Sequence, residues 1–418
     1  MSRIRISIFL FMLFIIEINN TIAQSSSSYS RFGVGDEVYS FSSRRLGMGQ
    51  VGTSVADADF ISIANPASLY KLNKTRIEFS VNYNGIFLAN ANQTNYLAAS
   101  DFGGFAVGIP ISNSYGVGAA FGLVPVSNVS YKALERQSSA SSLIGDYSIE
   151  YSGSGGLSKV FIGSSFTLLS DISVGASFDY LFGNISYNSS VEFVNTSSFS
   201  SKYEKRYRYR GIGGTFGVIG PDFAKILELQ SISDFRFGLA LNLASSLNVD
   251  SFYFAESLVG VDTASMGNHK AKIPLSLSIG TNCIFNKKYL VYIDYTTQAW
   301  SKFSSNGAAS ESLQDAYKLS MGFEYRPLRE LGSSFWEQVI LRAGLSYEKT
   351  QYSLFNTSIN QYSFSAGVSL PIGYENTLDF GLLYARRGTK DSNLLQEDII
   401  KLSVGFSLGE LWFIRQDK

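Results

Sequence analysis

Long runs of strictly alternating side chains constrain this chain more than any other feature. In one run Ile77, Phe79 and Val81 are apolar, and the residues between them are polar. The same period recurs down the chain, and a period of two is that of a β-strand with one apolar face. Most runs span 13–18 residues, whereas strands of globular proteins are commonly about 5–6 residues long. We therefore expect an all-β protein with unusually long strands.

The alternation also predicts where these strands lie. No segment of the chain has 18 continuous apolar residues, so a membrane-spanning helix is not expected. In lipid only helices and closed barrels satisfy every backbone hydrogen bond. Apolar residues on one face and small or polar residues on the other are typical of a barrel with lipid outside and a polar lumen. Tyr and Phe collect near the ends of the runs, as in an aromatic girdle. We predict a transmembrane antiparallel β-barrel in the outer membrane of a Gram-negative bacterium.

The connections between the runs alternate between short and long, which fits short periplasmic turns and longer outer loops. Counting the runs gives 14 strands, and an even number lets the sheet close with both ends at the periplasmic side. The predicted strands are 75–88, 95–110, 115–130, 145–168, 171–187, 203–219, 233–249, 270–285, 288–301, 313–327, 336–350, 360–372, 376–388 and 397–410.

The chain begins with the features of an export signal. Arg3 and Arg5 precede an apolar run at 6–16, and a small residue stands just before Gln24. An apolar run of 11 residues is too short to cross a bilayer and is typical of a signal peptide. We expect residues 1–23 to be cleaved.

Composition excludes several classes of function. The 418 residues carry a net charge of zero, which argues against a nucleic-acid-binding protein. Cys283 is the only cysteine, so no intramolecular disulfide can form, and its parity places it among lipid-facing residues. The only histidine, His269, makes a His-based metal site or catalytic triad a poor hypothesis. We expect no enzyme, no metal and no cofactor.

Residues 24–74 lack the alternation and contain short pieces punctuated by glycine. Wall side chains cannot fill a 14-stranded barrel, so we predict that this segment plugs the lumen and that residues 75–418 form the barrel. Pro66 fixes its φ angle and lacks an N–H, and Asn65 can hold a turn through its side chain. The triplet Asn65-Pro66-Ala67 is therefore the predicted anchor of the plug. An ordinary turn before the first strand is the alternative.

This layout resembles the FadL family, outer-membrane channels for long-chain fatty acids and other hydrophobic molecules. The resemblance rests on 14 strands preceded by the triplet at 65–67, with Gly-Met-Gly at 47–49 and Ala-Asp at 56–57 in the family's order. Residues 151–157 are similar to FadL-type barrels of Bacteroidota. One departure is that Phe413 lies five residues inside the chain end, where barrels often finish on an aromatic residue. The resemblance implies a plugged channel for hydrophobic small molecules.

The third predicted strand is unusual. Gly116, Gly118 and Gly122 lie on one face, and Pro125 follows. Gly and Pro inside a strand mark kinks, bulges or close approach. FadL-type channels use a kink in this strand as a lateral opening, so the resemblance implies that these four residues form an opening toward the bilayer. The alternative is that the small residues make room for the plug.

A basic cluster lies at the outer end of the sixth predicted strand. It contains Lys202, Lys205, Arg206, Arg208 and Arg210. The arginines suit capture of a carboxylate or another anionic head group. Contact with anionic surface lipid or with solvent is the alternative, and the sequence favours it because charge runs usually only solvate a surface.

Three functions remain open. The resemblance implies transport of a hydrophobic small molecule, with lateral release into the bilayer. The second function is that of a non-transporting subunit that contacts other outer-membrane proteins, as in a type-nine secretion or barrel-assembly complex. Small and polar inward residues weigh against transport, whereas family function places it first. Phe60, Ile61 and Ile63 either line a ligand pocket or dock the plug. The third function, that of an unplugged diffusion pore, is disfavoured because residues 24–74 do not have the pattern of a flexible linker.

Overall fold

A computed structural model describes residues 27–90, 93–137, 146–168, 171–193, 200–244, 246–257, 260–327, 333–373 and 375–410. The predicted signal peptide and Phe413 lie outside these ranges. Within them, no helix is both long and apolar enough to cross a membrane.

Strands dominate the described chain. Before the barrel come the 3-10 turn Ser28–Arg31, strand β1 (Asp36–Glu37), the helical turn Ser43–Leu46 and the 3-10 turn Pro66–Lys71. The first part of the wall consists of β2 (Thr75–Ala89), β3 (Thr94–Ser112), β4 (Val117–Pro125), β5 (Ser127–Gln137), β6 (Tyr147–Thr167), β7 (Ser173–Phe193), β8 (Ser201–Ile219), β9 (Ile232–Ala244), β10 (Ser246–Ser257), β11 (Gly260–Lys272) and β12 (Ser276–Phe285). The rest consists of β13 (Tyr289–Gln298), β14 (Ser304–Ser305), β15 (Ala308–Ala309), β16 (Ala316–Tyr325), β17 (Ile340–Leu354), β18 (Thr357–Pro371), β19 (Thr377–Gly388) and β20 (Gln396–Glu410). The connections between strands contain helical turns of three or four residues, at Phe223–Ile226, Trp300–Lys302, Trp336–Gln338 and Asp391–Asn393.

These strands form a closed antiparallel barrel of 14 strands, so the predicted fold class is confirmed. Each of the pairs β4/β5, β9/β10 and β11/β12 makes up one barrel strand in two pieces. The barrel closes where β20 pairs with β2, with Glu410 opposite Thr75. Both chain ends of the wall therefore lie at the edge with the short turns, which is the periplasmic edge of such barrels.

The two faces of the wall differ in polarity. Large apolar side chains on the outer face are exposed, for example Val81, Ile162, Phe178, Phe216, Leu239, Ile293, Leu345 and Phe364. Polar and charged side chains on the inner face are buried, for example Glu78, Asp179, Thr215, Arg236, Asn282, Asp294, Lys318, Glu324, Arg342 and Asp379. The exposed apolar band is what a wall surrounded by lipid requires.

Several connections that the sequence predicts as long loops are partly strand. β10 and β11 pair as a hairpin through most of the predicted loop at 250–269, and β7 continues to Phe193. Beyond the lipid both faces of a sheet meet water, so the apolar period disappears although the backbone ladder continues. Alternation therefore locates the lipid-level part of each strand and misses its outer extension.

The segment from Ser27 to Lys74 lies inside the lumen. At the outer end the Ser27 hydroxyl donates to Glu397 Oε2 over 3.0 Å. At the periplasmic end the turn Pro66–Lys71 contacts β4, β6, β7 and β8. The segment therefore extends along the length of the barrel, as a plug would, while the domain boundaries at 24, 74 and 75 stay predictions.

Candidate functional site: the plug, its seat and the wall break

Asn65 joins the periplasmic end of the plug to the wall. Its side-chain oxygen accepts from the Ala67 N–H over 3.0 Å and so caps the turn that begins at Pro66. Its Nδ2 donates to the Thr53 carbonyl over 2.8 Å and to the Val218 carbonyl of β8 over 3.2 Å. The triplet thus sits where an anchor would, fully buried between plug and wall.

Inward glycines of three strands form the seat of this turn. A Cβ at Gly217 would lie 1.8 Å from Asn65 Oδ1, and one at Gly175 would lie 2.4 Å from the Ala67 nitrogen. A Cβ at Gly118 would lie 2.3 Å from the Leu69 carbonyl oxygen. Any side chain at these positions would collide with the plug. The contact at Gly118 is the one described by the alternative, in which small residues make room for the plug, while a role of Gly118 in a lateral opening stays a prediction.

A second glycine contact lies nearer the middle of the barrel. The Gly-Met-Gly segment at 47–49 packs against Gly322 and Gly344, where a Cβ would lie 2.4 Å from the Met48 carbonyl oxygen and 2.3 Å from the Gly49 nitrogen. The Tyr292 hydroxyl donates to that same Met48 carbonyl. The segment is therefore fixed by backbone contacts on both sides.

A buried ion-pair network, here called the clamp, joins the plug to β16 and β17. Arg44 of the plug binds Glu324 through Nε over 2.8 Å and Asp57 through Nη2 over 2.7 Å. From the wall, Arg342 reaches Glu324 over 2.7 Å. Arg326 lies between the two carboxylates and pairs with both. Arg44, Arg342 and Glu324 are each at most 1% exposed at the side chain.

Phe60 completes the clamp. The guanidinium carbon of Arg44 lies 4.4 Å from its ring centroid, with those of Arg342 at 5.3 Å and Arg326 at 5.7 Å. Cations at such distances are attracted by the ring quadrupole. Burial alone would raise the pKa of the Asp57 carboxyl, but the Arg326 and Arg44 guanidiniums hold it below its usual range, so the charged state is favoured. Phe60 therefore docks the plug.

The outer end of the plug is fixed by a second polar group and an apolar cluster. Arg387 of β19 pairs with Asp36 over 2.8 Å, and the Tyr352 hydroxyl donates to Asp36 over 2.7 Å. The Tyr29 ring stacks on Tyr352 with 6.0 Å between centroids. Around them lies a buried apolar cluster that includes Val34, Val129, Leu157, Leu247, Trp300, Phe303, Leu313, Ile359 and Leu394. The plug is thus held at both ends and in the middle.

The wall itself is interrupted beside β1. β4 pairs with β3 up to the Leu123–Phe105 pair, and beyond it β5 pairs with β6. Among the described residues, the part of β3 from Thr94 to Gly104 pairs with β2 on one side and with no strand on the other. Gly118 and Gly122 lie in the paired part and Gly116 just before it, whereas Pro125 stands at the break. Of the four residues of the expected opening, only Pro125 borders the gap.

Two open cavities lie behind this break. One, of about 170 Å³, is lined by charged groups that include Asp36, Asp101 and Lys401. The other, of about 180 Å³, has apolar walls such as Val126 and Leu181 beside charged ones such as Lys159 and Asp179. Glu37 and Tyr39 of the plug border both cavities.

Glu37 is one of the two carboxylates of the plug strand β1, beside Asp36. The Trp300 indole donates to its Oε1 over 2.6 Å. Burial, with a smaller contribution from nearby Glu348, raises the pKa of Glu37 from 4.5 to about 7. A charge change at this carboxyl is therefore expected near neutral pH.

The basic cluster lies far from the lumen. Arg210 pairs with Asp250, and Arg206 pairs with Glu204 of its own strand over 2.8 Å. The Arg208 guanidinium lies 5.7 Å from the Phe252 ring centroid. In the described part of the chain, no group of three or more His, Cys, Asp or Glu residues could hold a metal ion.

Comparison with known proteins shows which family model the chain matches and which solved structures have a similar fold. The BamG family model matches residues 3–417. A search of curated proteins found no match. Among solved structures, the chain is similar to the Ralstonia pickettii toluene transporter TbuX, at 16% identity over 89% of this chain and 99% of that one, with a TM-score of 0.54. The CymD monoaromatic hydrocarbon channel matches at 16% identity over 90% and 99%, with a TM-score of 0.56. A Pseudomonas aeruginosa FadL homologue matches at 13% identity over 86% and 95%, also with a TM-score of 0.56.

At such low identities these likenesses show the fold, and that fold is the one of FadL-type outer-membrane channels. The resemblance to FadL is therefore confirmed for the architecture, while the assignment to Bacteroidota stays a prediction. The family model, in contrast, spans nearly the whole sequence, and the chain belongs to the BamG family.

Proposed function

We propose that this protein is a permanently plugged, non-conducting barrel that serves as a structural subunit among other outer-membrane proteins. The observation that carries the proposal is the clamp, in which Arg44 and Asp57 of the plug share buried charges with Glu324, Arg326 and Arg342 of the wall. A gate that opens in each transport cycle would have to separate these charges.

The cost of that separation argues against a moving plug. Breaking a buried ion pair so that one partner stays uncompensated costs about 3–5 kcal/mol, which is an upper limit here because Arg44 keeps Asp57 and Glu324 keeps two wall guanidiniums. Here Glu324 contacts three guanidiniums, one of which belongs to the plug. Release of the plug would also pull Phe60 away from the wall guanidiniums of Arg326 and Arg342. These interactions favour a plug that stays in place.

The lumen chemistry supports the same function. A conduit for apolar molecules should present apolar side chains along its path, whereas one of the two cavities behind the break is lined by Asp36, Asp101 and Lys401. Membership in the BamG family, which is not a family named for transport, is consistent with this proposal.

Native mass spectrometry of the protein purified from its own outer membrane tests the proposal. We expect a stoichiometric complex with other outer-membrane proteins, without a small apolar ligand. A monomer that carries fatty or other apolar molecules would contradict it and would favour transport.

Transport of hydrophobic small molecules with lateral release is the second candidate, and the wall break favours it. The gap between β3 and β5 begins at Pro125, and the larger cavity behind it has partly apolar walls. Proteins of the same fold include a toluene transporter and a monoaromatic hydrocarbon channel.

Cross-linking across the break tests this candidate. The Asn128 amide lies 3.5 Å from the Asp101 carboxylate, so the variant Asp101→Cys/Asn128→Cys, with Cys283→Ser, can be joined by a short cleavable thiol cross-linker. Transport predicts that toluene entry into proteoliposomes falls on cross-linking and recovers on cleavage of the linker. Equal entry in both states, at the level of protein-free liposomes, would exclude it.

A further inference from the structure

We propose that an outward-facing basic patch on β8 and β11 binds the phosphate of an outer-leaflet lipid. The patch consists of Arg206, Arg208, Arg210, Lys270 and Lys272. The inference is independent of the proposed function, because it concerns the outer surface and holds for a closed or an open barrel.

The direction of these side chains follows from the alternation along β8. Tyr209 and Thr215 face inward and are buried, whereas Ile212 is 54% and Phe216 53% exposed on the outer face. Arg210 has the same parity as Ile212, and side chains two residues apart share a face. Arg208 and Arg206 continue the same row.

Pairing across the sheet brings the lysines to the same face. Arg210 is opposite Asn248 of β10, and Asn248 is opposite Lys270 of β11. Directly paired residues point to the same side of a sheet, so Lys270 lies two strands from Arg210 on the outer face. Lys272 follows two residues further, with buried Ala271 between them.

The height of the patch matches that of lipid head groups. Phe182 is opposite Arg210, and exposed Tyr180 is opposite Ile212, at the upper limit of the apolar band. The rings of Tyr180 and Phe182 lie 6.1 Å apart, as in an aromatic girdle. Arg and Lys side chains placed just beyond such a girdle reach the head-group layer.

The charge balance of the patch favours an anion. Asp250 pairs with Arg210, and Glu204 pairs with Arg206, so five cations face two carboxylates. Arg208 makes no ion pair among the described residues, and its guanidinium lies over the Phe252 ring. A planar guanidinium positioned in this way suits two-point recognition of a phosphate.

Lipid retention measured by native mass spectrometry tests the proposal. The probes are diphosphoryl lipid A and its dephosphorylated form, each added in detergent micelles to the full-length mature protein. The variant Arg208→Gln/Lys270→Gln removes two charges without breaking an ion pair. The control Lys225→Gln/Lys287→Gln removes the same charge from exposed positions at the periplasmic edge.

We expect the wild type and the control to retain diphosphoryl lipid A, and the patch variant to retain it at least about tenfold more weakly. Equal retention by both variants, or equal binding of the dephosphorylated lipid, would overturn the proposal. Inorganic phosphate is the third probe: displacement of the lipid by a modest excess would show a site for free anions and would also overturn it.

Discussion

Glu324 is the residue on which most of the buried charge in the lumen depends. It is the shared partner of Arg44, Arg326 and Arg342. Buried carboxylates are expensive unless they are paired, and here the pairing also fastens a separate segment. One side chain thus links the stability of the wall to the position of the plug.

Glu324→Gln should loosen the plug without unfolding the barrel. The substitution removes the negative charge that three guanidiniums share. We therefore expect a loss of about 3 kcal/mol in the stability of the docked plug. Limited proteolysis of the plug in urea measures this loss. Lys132→Gln, which removes a half-exposed pair with Glu150, is the control and should change stability by less than about 1 kcal/mol. An equal response of the two variants would contradict the role of the clamp.

Gly217→Ala should displace the Asn65-Pro66-Ala67 turn. The new Cβ would meet Asn65 Oδ1 at 1.8 Å, and overpacking of this kind costs about 1–3 kcal/mol. Gly220→Ala is the matched control, since a Cβ there would meet nothing closer than 3.5 Å. The midpoint of urea unfolding is the readout, and an unchanged midpoint for Gly217→Ala would argue against a tight seat.

Sequence reasoning located some of these residues and not their partners. The triplet at 65–67 was predictable, because Asn before Pro is a turn signal with a local cause. Arg44, Glu324 and Arg342 have no distinguishing local pattern, and the Arg44–Glu324 pair joins residues 280 positions apart. The only available signal was that charged side chains on the inward face of lipid-level strands need a partner.

At the level of elements, the docking of the plug strand β1 should respond to pH. The folded pKa of Glu37 is about 7 and its ordinary value is 4.5. The raised pKa means that the protonated carboxyl is favoured in the docked strand, so its contribution is complete below about pH 4.5 and is lost as pH rises through about 7.

We therefore expect the β1 amides to become less protected against hydrogen exchange between pH 5 and pH 8. Protection is measured after correction for the intrinsic exchange rate at each pH. Glu37→Gln removes the titrating group and should flatten this dependence, while the amides of β19 serve as an internal reference. If protection of the wild type depended on pH as little as that of Glu37→Gln, the pH response could not be attributed to Glu37.

The strands show what a local pattern can and cannot reveal. Apolar alternation located every lipid-level strand of the barrel, because lipid demands it on the outer face. It also marked the irregular region ending at Pro125, where the wall breaks. It missed the interruption between β11 and β12 at Pro274, although a proline inside a predicted strand is a signal for a break.

At the scale of the whole molecule, barrel closure follows from the number and polarity of the strands, but function does not. The same fold serves hydrocarbon channels, and here it encloses a lumen with buried ion pairs and a plug anchored along its length. The difference lies in side chains that meet only after folding, so the sequence leaves transport and a structural role open.

Conductance in planar lipid bilayers tests the closed barrel most directly. The mature wild type should insert without measurable ion current, because the clamp and both ends of the plug hold the lumen shut. The double variant Asp57→Asn/Glu324→Gln, which weakens the clamp from both sides, should give flickering openings. Steady current through the wild type, equal to that of the double variant, would contradict the account.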